Sequence, residues 1–182
     1  MPVYIALLRG INVGGNKKLP MADLRTLCES LGFAGAQTLL QSGNVVFASP
    51  RADAEGIVRD LEAGIAARFG FESRVVLRAR DQWAALIARH PFTPQQIAEP
   101  SKILVTFLLT VPDAAAIAAL RGAHAGPEQV EVRGQEVYAY YPDGMGRAKL
   151  DNSFVERKLK TVGTGRNWNT VIKLLALAEA AG

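Results

Sequence analysis

The chain has 182 residues, 49% apolar and 21% charged, with a formal net charge of +4 and one cysteine. That length holds one good core or two small ones, and the composition is that of an ordinary globular protein. No apolar run approaches the ~20 residues that span a bilayer, which excludes a helical membrane span. Cys28 alone excludes an intrachain disulfide framework. The opening Met1-Pro2 leads into an apolar run with no basic leader or cleavage signal. The expectation is a cytoplasmic protein without a membrane partner.

Val3 to Leu8 is apolar at every position, so it predicts a strand covered on both faces. Next comes Arg9-Gly10-Ile11-Asn12-Val13-Gly14-Gly15-Asn16-Lys17-Lys18, a basic, glycine-rich loop, and then Pro20 at the expected first position of a helix. Strand, glycine loop and helix start form a candidate anion cradle. Glycine amides, the positive end of the helix and the charges of Arg9, Lys17 and Lys18 would converge there. The competing explanation is a tight connection whose glycines merely supply φ > 0. Gly10 and Gly15 have P-loop spacing, but the lysine is displaced by one residue and no Ser or Thr follows it. That excludes a Walker-type NTPase.

Met21 to Leu31 predicts a helix with Leu24, Leu27, Cys28 and Leu31 on one stripe and Gly32 at its C-terminal end. Cys28 belongs to that stripe and is a core residue. Thr38 to Gln41 and Val45 to Phe47 flank a Ser42-Gly43 turn and predict a hairpin. Asp53 caps a helix carrying Ile57, Leu61, Ile65 and Phe69, which ends at Gly70. Glu72 to Arg78 is the next strand. This βαββαβ order is the ferredoxin-like pattern. It places the glycine loop beside the hairpin tip Gln41-Ser42-Gly43-Asn44.

Asp81 is the expected cap of a short helix ending at His90-Pro91, and the prolines at 91, 94 and 100 mark a boundary. A second βαββ series follows: Ile103 to Leu109, a helix from Asp113 to Leu120, and a hairpin of Val130 to Val132 with Val137 to Tyr141. Helices from Asp151 to Lys160 and from Trp168 to Ala181 complete it, the last standing where a closing strand would lie. The fold class is therefore α+β: two ferredoxin-like βαββ-α halves with antiparallel sheets and an extra C-terminal helix. Residues 1–90 form the half with the glycine loop and 91–182 the second half, a structural repeat in element order.

Charge is concentrated. Arg147 to Lys173 carries seven basic residues against two acidic ones, and localised basic charge favours phosphate-bearing partners. Gly163 to Thr170 offers Arg166, Asn167, Trp168 and Asn169 before an apolar helix. Asn167 or Asn169 suits a cap and Trp168 a staple. Arg166 would oppose the helix dipole unless an anion visits. Arg147 and Lys149, on the turn-rich stretch from Pro142 to Leu150, are candidates for the same partner. His90 and His124 share no triad spacing with Cys28 or a Ser–acid pair, and no metal-ligand cluster is visible. No catalytic residue, metal or cofactor is assigned. Central strands offering only Tyr4 and Phe47 disfavour RNA stacking on a sheet.

Three segments carry a resemblance: Tyr4-Ile5-Ala6-Leu7-Leu8-Arg9-Gly10-Ile11-Asn12-Val13-Gly14-Gly15, Gln41-Ser42-Gly43-Asn44-Val45-Val46-Phe47 and Arg166-Asn167-Trp168-Asn169-Thr170. Together they resemble the bacterial domain-of-unknown-function family 1697. The resemblance implies two ferredoxin-like halves and a cytoplasmic bacterial origin, and it carries over no activity. Ala148 in Gly146-Arg147-Ala148-Lys149-Leu150 stands where the resemblance leads one to expect serine.

The expected function is a binding module for a phosphate-bearing small molecule or nucleic acid. Its ligand-binding candidates are Arg9, Gly10, Asn12, Gly14, Gly15, Lys17, Ser42, Gly43, Asn44, Lys149, Arg166, Asn167, Trp168 and Asn169. Two alternatives stand beside it. One is an enzyme on a phosphorylated small molecule that works by electrostatic stabilisation. The other is a structural or protein-interaction role, which expects Asn12 and Asn44 to be buried and bonded to backbone.

Overall fold

The computed structural model describes residues 1–182, which divide into two compact units: Met1–Ala85 with Ile172–Gly182, and Leu86–Val171. In the first unit, β1 (Val3–Leu8), α1 (Met21–Ser30), β2 (Ala34–Leu39), β3 (Asn44–Ala48), α2 (Ala54–Phe69) and β4 (Val75–Ala79) follow one another. The strands make an antiparallel sheet ordered β2-β3-β1-β4. All six β1 residues are buried. Tyr4, Ala6 and Leu8 share one face with Val45 and Phe47, and pack with Leu24, Leu27 and Cys28 of α1 and Ile57, Leu61 and Ile65 of α2. Val3, Ile5 and Leu7 on the opposite face are buried too, so the sheet is covered on both sides.

Helix ends follow local chemistry. Asp53 Oδ1 accepts from Gly56 N at 2.9 Å, and Gly70 closes α2 at φ +74°. Gly32, at φ +79°, lets Phe33 N reach back to the Cys28 carbonyl at 3.0 Å. Two expectations are corrected. Pro20 is the extended residue before α1, not its first turn. Asp81 lies inside α3 (Arg80–Ala88), where Gln82 Oε1 instead accepts from Ala79 N at 2.9 Å.

The second unit holds α4 (Pro94–Ile97), a 3-10 turn at Pro100–Lys102, β5 (Ile103–Leu108), α5 (Ala114–Ala123), β6 (Gln129–Arg133), β7 (Glu136–Tyr140), α6 (Asn152–Leu159) and β8 (Gly163–Asn167). Its sheet is ordered β6-β7-β5-β8. The capping carboxylates of Asp113 and Asp151 accept from Ala116 N and Phe154 N, each at 2.7 Å. Leu108, Val137 and Ala139 pack with Leu120 of α5 and Val155 and Leu159 of α6. The closing strand that the sequence left out is therefore present as β8, and the last helix, α7 (Trp168–Ala180), starts directly after it. No helix is long and apolar enough to cross a membrane.

Candidate functional site

In the first unit the β1–α1 loop and the β2–β3 hairpin are neighbours, as the topology demands. Asn12 Nδ2 donates to the carbonyls of Leu19 at 2.9 Å and Gln41 at 2.7 Å, and its Oδ1 accepts from Leu19 N at 2.8 Å. Leu8 N donates to the Gly43 carbonyl at 2.8 Å. Asn44 is fully buried, its Nδ2 donating to the Leu39 carbonyl at 2.7 Å and Ser42 Oγ at 3.0 Å. A third connection, α2–β4, joins them: Ser73 Oγ donates to the Arg9 carbonyl at 2.9 Å and Lys17 Nζ to the Glu72 carbonyl at 2.6 Å. Sequence inspection missed it, although the fold puts all three connections at one end of the sheet.

These bonds change what the loop does. Asn12, half-buried, holds backbone on both sides, and Asn44, buried, holds the Leu39 carbonyl and the Ser42 hydroxyl. Gly14 and Gly15, at φ +59° and +77°, form a tight turn closed by Asn16 N donating to the Val13 carbonyl at 3.0 Å. The turn ends before buried Leu19 and exposed Pro20 lead into α1, so in the chain the glycines do not form the helix start. Gly10, Gly14 and Gly15 remain exposed, and Arg9 is half-buried.

Arg166, Asn167, Trp168 and Asn169 lie in the second unit. The expectation that Arg166 stands as a cation at the N-terminus of the last helix is corrected. It sits on β8 opposite Val105, 7% exposed, with Nη1 donating to Thr164 Oγ1 at 2.7 Å and the Gly165 carbonyl at 2.9 Å. Burial pushes its pKa down to about 10. Asn167 is the cap, its Oδ1 accepting from Asn169 N at 2.9 Å. Trp168 is buried, edge-on to His90 and Phe92 with centroids 5.3 and 5.7 Å away.

Lys149 has a different setting. With Arg147, His124, Glu128, Phe154 and the 123–127 turn it lines a cavity of about 430 Å³. That turn leaves the end of α5, and α6 contributes Phe154. Arg147 and Lys149 are exposed. The side chains of His124 and Glu128 are only 10% and 8% exposed. His124 Nε2 donates to the Glu128 carbonyl oxygen at 2.9 Å. Glu128 Oε2, 3.5 Å from His124 Nε2, is shut from water with no hydrogen-bond partner. Arg157 and Lys158 lie over the Phe154 ring at 5.5 and 5.8 Å. Tyr141, whose OH donates to the Leu150 carbonyl at 2.8 Å, is pushed up to about 12 by burial first and then by the charges of Glu128 and Asp151. His124 and Glu128 were not among the candidates. The readable signal was a histidine and an acid four residues apart around Gly126, one short turn from a basic loop.

An α+β chain of two four-stranded antiparallel sheets is the class that the fold defines. The chain belongs to the family described as Protein of unknown function (DUF1697), which matches residues 1–138. It is similar in fold to the conserved bacterial protein SP0830 from Streptococcus pneumoniae. The two are 22% identical with a TM-score of 0.73, over 97% of this chain and 98% of the other. No curated protein matches the chain.

Proposed function

We propose that the protein is a binding module for a small phosphate-bearing ligand, seated in the second unit's cavity and not on the glycine loop. The observation that carries this is the pairing of Arg147 and Lys149 around one cavity of about 430 Å³, within the usual size of small-ligand sites of roughly 300–1,000 Å³. Neither cation is held by an acid of the chain. An arginine fork and a lysine point charge together suit a phosphate. The cavity is a concave recess, which favours a nucleotide or sugar phosphate over a nucleic-acid strand. The glycine loop and hairpin serve as scaffold, because their asparagines are used internally.

Calorimetric titration with nucleoside monophosphates tests this. Binding is expected to weaken with added salt, since the cations are at the surface, and Arg147→Ala with Lys149→Ala is expected to lower affinity at least about tenfold. An affinity unchanged in the double variant, or no binding of any phosphate compound, overturns the proposal.

A further inference from the structure

Two cations of α6 stand beside the cavity and are left over by a single phosphate. Arg157 and Lys158 lie three and four residues beyond the wall residue Phe154, so all three share one face of α6. Helical side chains lean toward the N-terminal end of their helix. Both cations do so, resting over the Phe154 ring at 5.5 and 5.8 Å from its centroid. Their position in the last turn of α6 suits the helix dipole. The dipole, however, rewards charge at the terminal carbonyls, and these side chains reach the other way, toward the cavity wall. No acid of the chain holds either of them. The acids of this region are used elsewhere: Asp151 Oδ1 accepts from Phe154 N at 2.7 Å and Glu156 Oε1 from Gly163 N at 2.8 Å. Glu128 Oε2 is closed off from water beside the Gly126 turn.

Resting on the phosphate reading above, we infer that the ligand carries a chain of two or more phosphates. Arg147 and Lys149 hold one phosphate on the cavity wall, and Arg157 and Lys158 hold the next, at its edge. The charges match only such a molecule. One phosphate group brings about −1.5 to −2 at pH 7, which Arg147 and Lys149 balance by themselves. With a monophosphate bound, Arg157 and Lys158 would still face two like charges across one aromatic residue, a repulsion that a second phosphate removes. A nucleoside di- or triphosphate and an inorganic phosphate chain share this chemistry.

The test is calorimetry on the full chain, without divalent cations, with adenosine mono-, di- and triphosphate and inorganic tripolyphosphate. The wild-type protein is expected to bind the triphosphate at least about tenfold more tightly than the monophosphate. Arg157→Gln with Lys158→Gln keeps much of each apolar stem and removes both charges. This double variant is expected to lose most of that preference while holding the monophosphate within about twofold of wild type, which also shows that it folds. Arg68→Gln with Lys173→Gln takes the same charge from exposed sites on the first unit and is expected to keep the preference. Tripolyphosphate binding as tightly as the triphosphate supports the inference with the phosphate chain alone as ligand, and weaker binding supports it with a nucleotide. Equal affinity of the wild type for mono- and triphosphate, or an equal loss in the two double variants, overturns the inference while the phosphate reading stands. Failure of all four compounds to bind instead overturns the phosphate reading.

Discussion

The side chain of Asn12 donates 2.7 Å to the main-chain carbonyl of Gln41, joining two loops 29 residues apart. Because Asn12 also grips both backbone groups of Leu19, one amide fixes the shape of the whole β1–α1 connection. It does so at φ +53°, a left-handed conformation that asparagine tolerates better than most residues.

Asn12→Ala removes three hydrogen bonds and leaves two carbonyls and an amide to find water. Urea unfolding is expected to show a loss of about 1–3 kcal/mol. Lys18→Glu, on the same loop but exposed, is expected to stay within about 0.5 kcal/mol. Equal effects of the two would show that Asn12 is not a structural clamp.

Glycine at two positions is set by neighbouring side chains. At Gly43, φ +77°, a Cβ would come within 2.6 Å of Ile11 Cδ1 and 2.8 Å of Leu8 Cβ; at Gly163 it would meet Thr106 Cγ2 at 2.9 Å and Leu108 Cδ2 and the Phe107 carbonyl at 3.0 Å. Gly43→Ala and Gly163→Ala are each expected to cost about 1–3 kcal/mol, measured by chemical denaturation. Gly146→Ala, where nothing lies within 4 Å, is the control and is expected to be near neutral.

That contrast also explains what could be read in advance. β1 was legible to the residue because six consecutive apolar side chains all enter cores. The cap at Asp53 and the helix starts at Asp113 and Asp151 were legible because capping is a local bond between a residue and the amide three positions on. β8 was not, because Gly163-Thr164-Gly165-Arg166-Asn167 has no apolar period. Its glycines exist to admit Thr106, Leu104 and Leu108 from the adjoining strand, a tertiary demand invisible along the chain. Arg166 misled for the same reason: an arginine beside glycines reads as exposed until the ladder to β5 buries it. The cavity was half legible, through Lys149 and Arg147. Glu128 needed the fold of the Gly126 turn.

Removing single caps should confirm the local part. Asp113→Ala and Asp151→Ala are each expected to lower stability by about 0.5–2 kcal/mol. Asp81→Ala, which removes no cap, is expected to change it by less than about 0.5 kcal/mol. A large loss at Asp81 would contradict the assignment of the α3 start to Gln82.

Alkaline stability has a defined sign. Burial first, then the charge of Glu29, pushes the Cys28 thiol from 9.0 up to about 12, and Tyr141 rises from 10.0 to about 12. Both keep their protons longer when folded, so the stability they contribute is complete below their ordinary values and is lost as pH rises toward 12. Arg166, pushed down from 12.5 to about 10, acts oppositely, because between those values the unfolded chain binds the extra proton. From pH 9 to 10, where the thiol acts first, the unfolding free energy is expected to fall, and Cys28→Ala is expected to flatten that slope. A slope unchanged in C28A would remove the thiol from the explanation.

The most direct measurement of the central claim is amide chemical-shift mapping of the isotopically labelled full chain titrated with cytidine monophosphate. The proposed site predicts saturable shifts gathered at residues 123–128, at Arg147 and Lys149 and at Phe154. Shifts gathered instead on the 12–18 loop and the 41–44 hairpin, or none at saturating nucleotide, would contradict it.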